Sequence, residues 1–100
     1  MTPRKFRILL HKEVIQEDSR HFNSRTKDKI KKKCLEVLSY HPEKAGEALH
    51  GELAGYRRLK IFDAYRIVYR VNSNESAVFI LAVGIRRREE VYKEAIKRIS

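Results

Sequence analysis

Cysteine is nearly missing from this chain. Cys34 stands alone among 100 residues, so no intramolecular disulfide can form. That fits a reducing cytoplasm. Long apolar runs are missing too, and nothing approaches the roughly 20 residues that cross a bilayer. The opening Met1-Thr-Pro-Arg-Lys-Phe-Arg-Ile-Leu-Leu10 has too short an apolar run for a secretory signal and reads as a first strand. No repeat, low-complexity segment or linker divides the chain, so residues 1–100 read as one domain. There is no Gly-rich phosphate loop and no pair of carboxylates framed by strand ends. The four histidines, His11, His21, His41 and His50, have no ligand-like spacing and no Cys or acidic companions at such spacing. No metal and no small-molecule cofactor is expected.

Acidic residues are also scarce. There are 13 Asp and Glu against 23 Lys and Arg, a formal net charge of +10. So large a field on a small protein points to a polyanion partner, because released counterions favour binding to phosphate backbones. The cations are spread over several elements and not gathered on one amphipathic helix, which argues against a membrane surface. The 42% hydrophobic content supports a modest core. A domain of this size has little stability in hand, so a stabilising partner is in keeping with it.

The periodicity predicts a first strand over 5–10 and a brief helix over 12–20. Asn23 or Ser24 caps the next helix, where Ile30, Cys34, Val37 and Leu38 form an apolar stripe opposite Lys27, Lys31 and Lys32. Cys34 on that stripe reads as buried and inert. Pro42 stops the helix, and Gly46 loosens the chain beyond it. From Tyr56 the period becomes two. Arg58 and Lys60 point one way, Leu59 and Ile61 the other. A turn near Asp63-Ala64 leads to the strand Tyr65–Val71, with Tyr65, Ile67, Tyr69 and Val71 on one face. Ala77–Val83 is apolar on both faces, as a central strand would be. A tail helix over 88–99 carries Tyr92, Ala95, Ile96 and Ile99 on one side. The expected architecture is α+β, in the order β-α-α-β-β-β-α. It has a small, antiparallel-dominated twisted sheet, with two helices on one face and a C-terminal helix. All helices are expected to gather on one face.

If helices cover the face of Leu59 and Ile61, the other face shows Arg58, Lys60 and Arg66 on adjacent strands. Arg86, leaving the last strand, completes the cluster. Like charges so close destabilise the fold unless an anion neutralises them, and phosphate is the obvious one. Arginine grips phosphate with a planar fork of donors, and a tyrosine among cations loses its proton more easily than a free phenol. That is a kit for cutting RNA without a metal. Plainer readings stand beside it. Arg57 and Lys60 also suit an exposed strand, and periodicity by itself makes Tyr92 a core residue.

Four fragments then fall into a pattern: Leu49-His-Gly51, Gly55-Tyr-Arg-Arg-Leu-Lys-Ile61, Tyr65-Arg-Ile-Val-Tyr-Arg-Val71 and Val83-Gly-Ile-Arg-Arg-Arg-Glu-Glu-Val-Tyr92. In residues, order and spacing they resemble the RelE branch of the RelE/ParE toxin superfamily, over nearly the whole chain. The resemblance implies a toxin neutralised by a cognate antitoxin. It implies binding in the ribosomal A site, against mRNA and ribosomal RNA, and metal-independent mRNA cleavage. In the family reaction the ribose 2′-OH attacks the adjacent phosphate, leaving a 2′,3′-cyclic phosphate and a 5′-OH. By position, Tyr92 matches the family's general base, and Arg66 and Arg86 its catalytic arginines. Its paired lysines fall on Arg58 and Lys60 if the following turn is one residue shorter here; an ungapped count gives Arg57 and Leu59. Arg57, Arg70, Arg87 and Arg88 flank these positions as candidate RNA contacts. Ile85 stands where the family often has lysine. Two other readings remain at this stage. One is a ParE-like toxin acting on DNA gyrase, against which the set Arg66, Arg86 and Tyr92 argues. The other is a non-catalytic basic RNA-binding protein.

Overall fold

The computed structural model describes residues 4–87 and 89–99. Strand β1, Arg7–Leu10, leads into helix α1, Lys12–Gln16. His11 caps α1, its Nδ1 accepting from the Glu13 N–H at 3.0 Å. A 3₁₀ turn over Asp18–His21 takes up the rest of the expected first helix. Helix α2, Ser24–Leu38, begins as expected at Asn23, whose Oδ1 accepts from the Thr26 N–H at 2.8 Å. It ends at Leu38, short of Pro42. That proline instead opens a short helix α3, Pro42–Ala45, where its missing N–H leaves no bond unmade. Strand β2 is only Glu47–Ala48. A 3₁₀ turn at Gly51–Leu53 precedes β3, Arg57–Ile61, then β4, Tyr65–Asn72, β5, Ala77–Ile85, and helix α4, Glu90–Ile99.

The five strands lie in the order β1-β5-β4-β3-β2. The three linked by short turns, β3, β4 and β5, are antiparallel neighbours, as their connections require. β1 pairs with β5 in parallel, Leu10 lying opposite Ile80, and the helices in between make the long crossover that a parallel pair needs. A bulge interrupts β4 and β5. Val68 faces Ala82 and Tyr69 faces Ile80, leaving Leu81 unmatched.

Both faces of the sheet are covered. On one, α1 and α2 lay Val14, Ile30, Cys34 and Leu38 against Leu59, Ile61, Ile67, Tyr69, Val78 and Ile80. On the other, α4 lays Val91 and Ala95 against Val68, Leu81 and Ala82. The expectation that all helices gather on one face is therefore corrected for α4. The reason is β5, which is apolar on both faces and needs cover on both.

Gly46 does not loosen the chain; it permits close packing. A Cβ there would overlap the Arg58 carbonyl oxygen and stand 2.8 Å from the Tyr69 hydroxyl, which donates to the Pro42 carbonyl at 2.7 Å. Gly84 plays the same part on the other face. A Cβ there would stand 2.9 Å from the Val91 Cβ, so the glycine lets α4 sit close against β5.

Candidate functional site

Helix α4 covers only part of its face of the sheet, and beyond it lies a cationic surface. Residues opposite each other in the ladders share a face. Lys60 on β3 faces Arg66 on β4, and Arg66 faces Gly84 on β5. One row away, Glu47, Arg58, Val68 and Ala82 run across β2 to β5. Arg58, Lys60 and Arg66 thus share the face of α4.

Arg66 is the unusual member. It is 7% exposed, and its Nη1 donates to the Tyr65 carbonyl at 3.1 Å. Among the described residues no ion pair includes Arg66 or Lys60. A buried cation facing another cation is costly to hold without an anion.

Arg58 is better provided for. Its Nη2 pairs across the strands with Glu47 Oε2 at 2.7 Å. The half-buried Tyr92 phenol stands beside it on α4. The nearby Tyr92 hydroxyl is the largest influence holding the Arg58 guanidinium charged above its ordinary range, against some desolvation and with added help from Glu47. The Arg58 Nε is buried and without a hydrogen-bond partner among the described residues, as is the Nε of Arg57.

Arg86 follows β5 directly. Its backbone N–H donates to the Ala64 carbonyl at 2.8 Å, and its exposed guanidinium pairs with Asp63 at 3.1 Å. The turn carrying Asp63 is tight, with φ of 52° at Phe62 and 56° at Asp63. Those are the left-handed conformations of a primed hairpin turn.

Four residues are therefore brought onto one surface: Arg58, Lys60, Arg66 and Tyr92. Arg57 is not among them. It turns to the face of α2 and donates to the Gly46 carbonyl at 2.5 Å beside Tyr69. Arg70 shares the face of α4 but is exposed toward the far end of β4, 5.9 Å over the Phe79 ring. Arg87 is exposed, and Arg88 lies outside the described residues. Glu47 and Asp63, the carboxylates that hold Arg58 and Arg86, escaped the sequence reading. Glu47 lies in a strand of two residues, too short to show a period.

Cys34 is buried, as its place on the helical stripe suggested, and burial pushes its thiol up to about 12, which leaves it neutral and unreactive at physiological pH. Among the described residues no group of His, Cys, Asp and Glu is arranged to hold a metal ion. No helix there is long and apolar enough to cross a membrane. An apolar groove of about 470 Å³ opens on the side of the sheet away from the cations. Ile8, Leu10, Ile15, Phe22 and Leu35 line it, with Lys27 and Lys31 also at its wall.

A strand pair, a helical crossover, a meander and a closing helix thus make a small basic α+β domain with a cationic sheet face. Residues 8–90 match the family described as ParE toxin of type II toxin–antitoxin system, parDE. The chain is 39% identical over 80 residues to the mRNA interferase toxin RelE of Escherichia coli K12, covering 80% of this chain and 83% of that one. It is similar to a free-state structure of a doubly substituted E. coli toxin RelE. There the TM-score is 0.74 at 28% identity, with 96% of this chain and 99% of that one covered. It is also similar to a chain of the RelBE2 toxin–antitoxin complex from Mycobacterium tuberculosis. That comparison gives a TM-score of 0.75 at 26% identity, covering 86% and 94%. The chain belongs to the RelE/ParE family of toxins and is of the RelE type, as its motifs suggested.

Proposed function

We propose that this protein is a ribosome-dependent endoribonuclease that cuts mRNA in the A site by attack of a ribose 2′-OH on the adjacent phosphate. The observation that carries the reading is Arg66, a buried arginine that faces Lys60 and enters no ion pair among the described residues. An RNA phosphate supplies the missing charge. Tyr92 takes the proton from the 2′-OH, with the Arg58 guanidinium beside it. Arg66 and Lys60 meet the charge that builds on the phosphorane. Arg86 exchanges Asp63 for substrate and acts as an electrostatic clamp. A guanidinium, planar and permanently charged as a class, suits a clamp better than an acid. Arg87 and Arg88 meet flanking RNA. Ribosomes place this work in the cytoplasm.

The test is the chemistry of the cut ends. Programmed ribosomes incubated with the protein should yield mRNA fragments with 2′,3′-cyclic phosphate and 5′-OH ends. Intact mRNA, or fragments with 5′-phosphate ends, would sink the mechanism. The matching family bears the ParE description, which favours a second reading as a gyrase toxin. That match ends at residue 90, before Tyr92, so it does not speak to the base. Gyrase supercoiling that continues unimpaired at protein levels that clear mRNA decides for the first reading. Binding to ribosomes without cut ends decides for a non-catalytic RNA-binding protein.

The partner is a cognate antitoxin. The E. coli and M. tuberculosis relatives are known in toxin–antitoxin complexes. The apolar groove between β1, α1 and α2, with its lysines, suits a segment apolar on one side and acidic on the other. Apolar docking is favoured over simple charge pairing on the cationic face, because surface ion pairs contribute little. Raising the salt concentration from 0.1 to 1 M should then weaken antitoxin binding by less than about 10-fold. A loss of several hundredfold assigns the contact to the cations instead. Full toxin activity beside a co-expressed neighbouring protein removes that protein as the partner.

A further inference from the structure

Helix α4, which carries Tyr92, is anchored to the rest of the protein by a pair 80 residues apart in the chain. Arg98 in its last turn donates from Nη1 to Asp18 Oδ2 and from Nη2 to Asp18 Oδ1, both at 2.7 Å. The two side chains are 5% and 9% exposed. The same two groups engage the backbone of β5 beside its bulge. Asp18 Oδ2 accepts from the Val83 N–H at 2.8 Å, and Arg98 Nη1 donates to the Leu81 carbonyl at 3.1 Å. β1 stops at Leu10, opposite Ile80, so β5 runs on beyond its parallel neighbour here. The Asp18–Arg98 pair supplies bonding along that stretch.

The apolar contacts of α4 cannot do what this pair does. Val91 and Ala95, with Tyr92 and Ile96 packed beside them, resist lifting the helix from the sheet, but apolar contacts are non-directional and resist sliding or rotation less. Sliding by one residue moves the helix about 1.5 Å and turns it about 100°. A planar fork bonded at both nitrogens to one carboxylate tolerates neither movement. We propose that Asp18 is a positioning residue for RNA cleavage: through its fork with Arg98 it sets the register of α4 and so holds the Tyr92 phenol beside Arg58. The proposal rests on the reading of Tyr92 as the base. Stability is a weak reason for a buried ion pair, since such pairs are often replaced by apolar groups without loss. Directional placement is what the pair adds.

The experiment is single-turnover cleavage of ribosome-bound mRNA by wild type, Asp18→Asn, Tyr92→Phe and the double variant. All are assayed below the melting temperature of the least stable. Asp18→Asn should lower the saturated rate on the order of 10-fold or more, with the half-saturating concentration within about twofold of wild type. The double variant should be no slower than Tyr92→Phe, within about twofold, because a misplaced phenol has nothing further to lose once its hydroxyl is gone. Should Asp18→Asn fail to fold, the paired change Asp18→Leu with Arg98→Met, which leaves no charge unpartnered, carries the same expectation. A wild-type rate in the folded variant, or defects that multiply with Tyr92→Phe, overturns the proposal. Full activity in Tyr92→Phe removes the reading of the base, and this proposal with it. Loss in Tyr92→Phe with full activity in Asp18→Asn removes this proposal alone.

Discussion

Tyr92→Phe should lower the saturated rate of mRNA cleavage by on the order of 10²-fold or more, the usual contribution of a general base. The substitution removes one oxygen and leaves the ring. Tyr92 is half-buried against the cluster of Leu53, Val68, Leu81, Ala82, Val91 and Ala95, and that packing belongs to the ring. Stability should therefore hardly change, and affinity for the ribosome should stay near wild type. What is lost is the phenol beside the Arg58 guanidinium. The rate should fall in the chemical step, read by single-turnover cleavage at saturating protein. A variant that cleaves at the wild-type rate would return Tyr92 to the plain core reading that its helical periodicity allows.

Arg66→Ala should be comparably severe for a different reason. Donors aimed at developing charge in a dry site are typically worth about 10²–10³-fold in rate. Arg66 is buried and faces Lys60, so its field is little screened by water. The saturated rate should fall by on the order of 10²-fold, with a smaller change in half-saturation. Stability should stay within about 1 kcal/mol of wild type, because lost packing is offset by removal of a buried charge without a carboxylate. Arg86→Ala should slow the same step less, since its guanidinium is exposed and already paired with Asp63. Loss of affinity with an unchanged saturated rate would make both arginines phosphate positioners and nothing more.

Lys60 and Arg58 show where sequence reasoning reached its limit. Counting residues left two ways to lay the family's cation pair on this chain, one of them through Arg57. Strand alternation favoured Arg58 and Lys60, and the β3–β4 register gives that preference a physical form. Lys60 lies opposite Arg66, whereas Arg57 lies opposite Tyr69, on the face packed by α2. Arg57 could not be separated from its neighbours by composition, because arginine suits a solvated face, a carbonyl oxygen and a phosphate equally.

Features that depend on near neighbours could be read from the chain before it folds. The cap at Asn23, the stripe of Ile30, Cys34 and Leu38, the alternation of β3 and β4 and the tail helix were all legible. Capping and periodicity are properties of residues a few positions apart, so they survive without a tertiary context. The family, too, was legible in the order and spacing of four short fragments. Folding settled which face α4 takes, that β1 runs parallel to β5, and that Gly46 is a point of close contact. It also decided the partners of the cations: Glu47 for Arg58, Asp63 for Arg86 and Asp18 for Arg98. Those pairs are 11, 23 and 80 residues apart. No local pattern links such residues, because an ion pair depends on where the folded chain carries two side chains and not on their spacing along it.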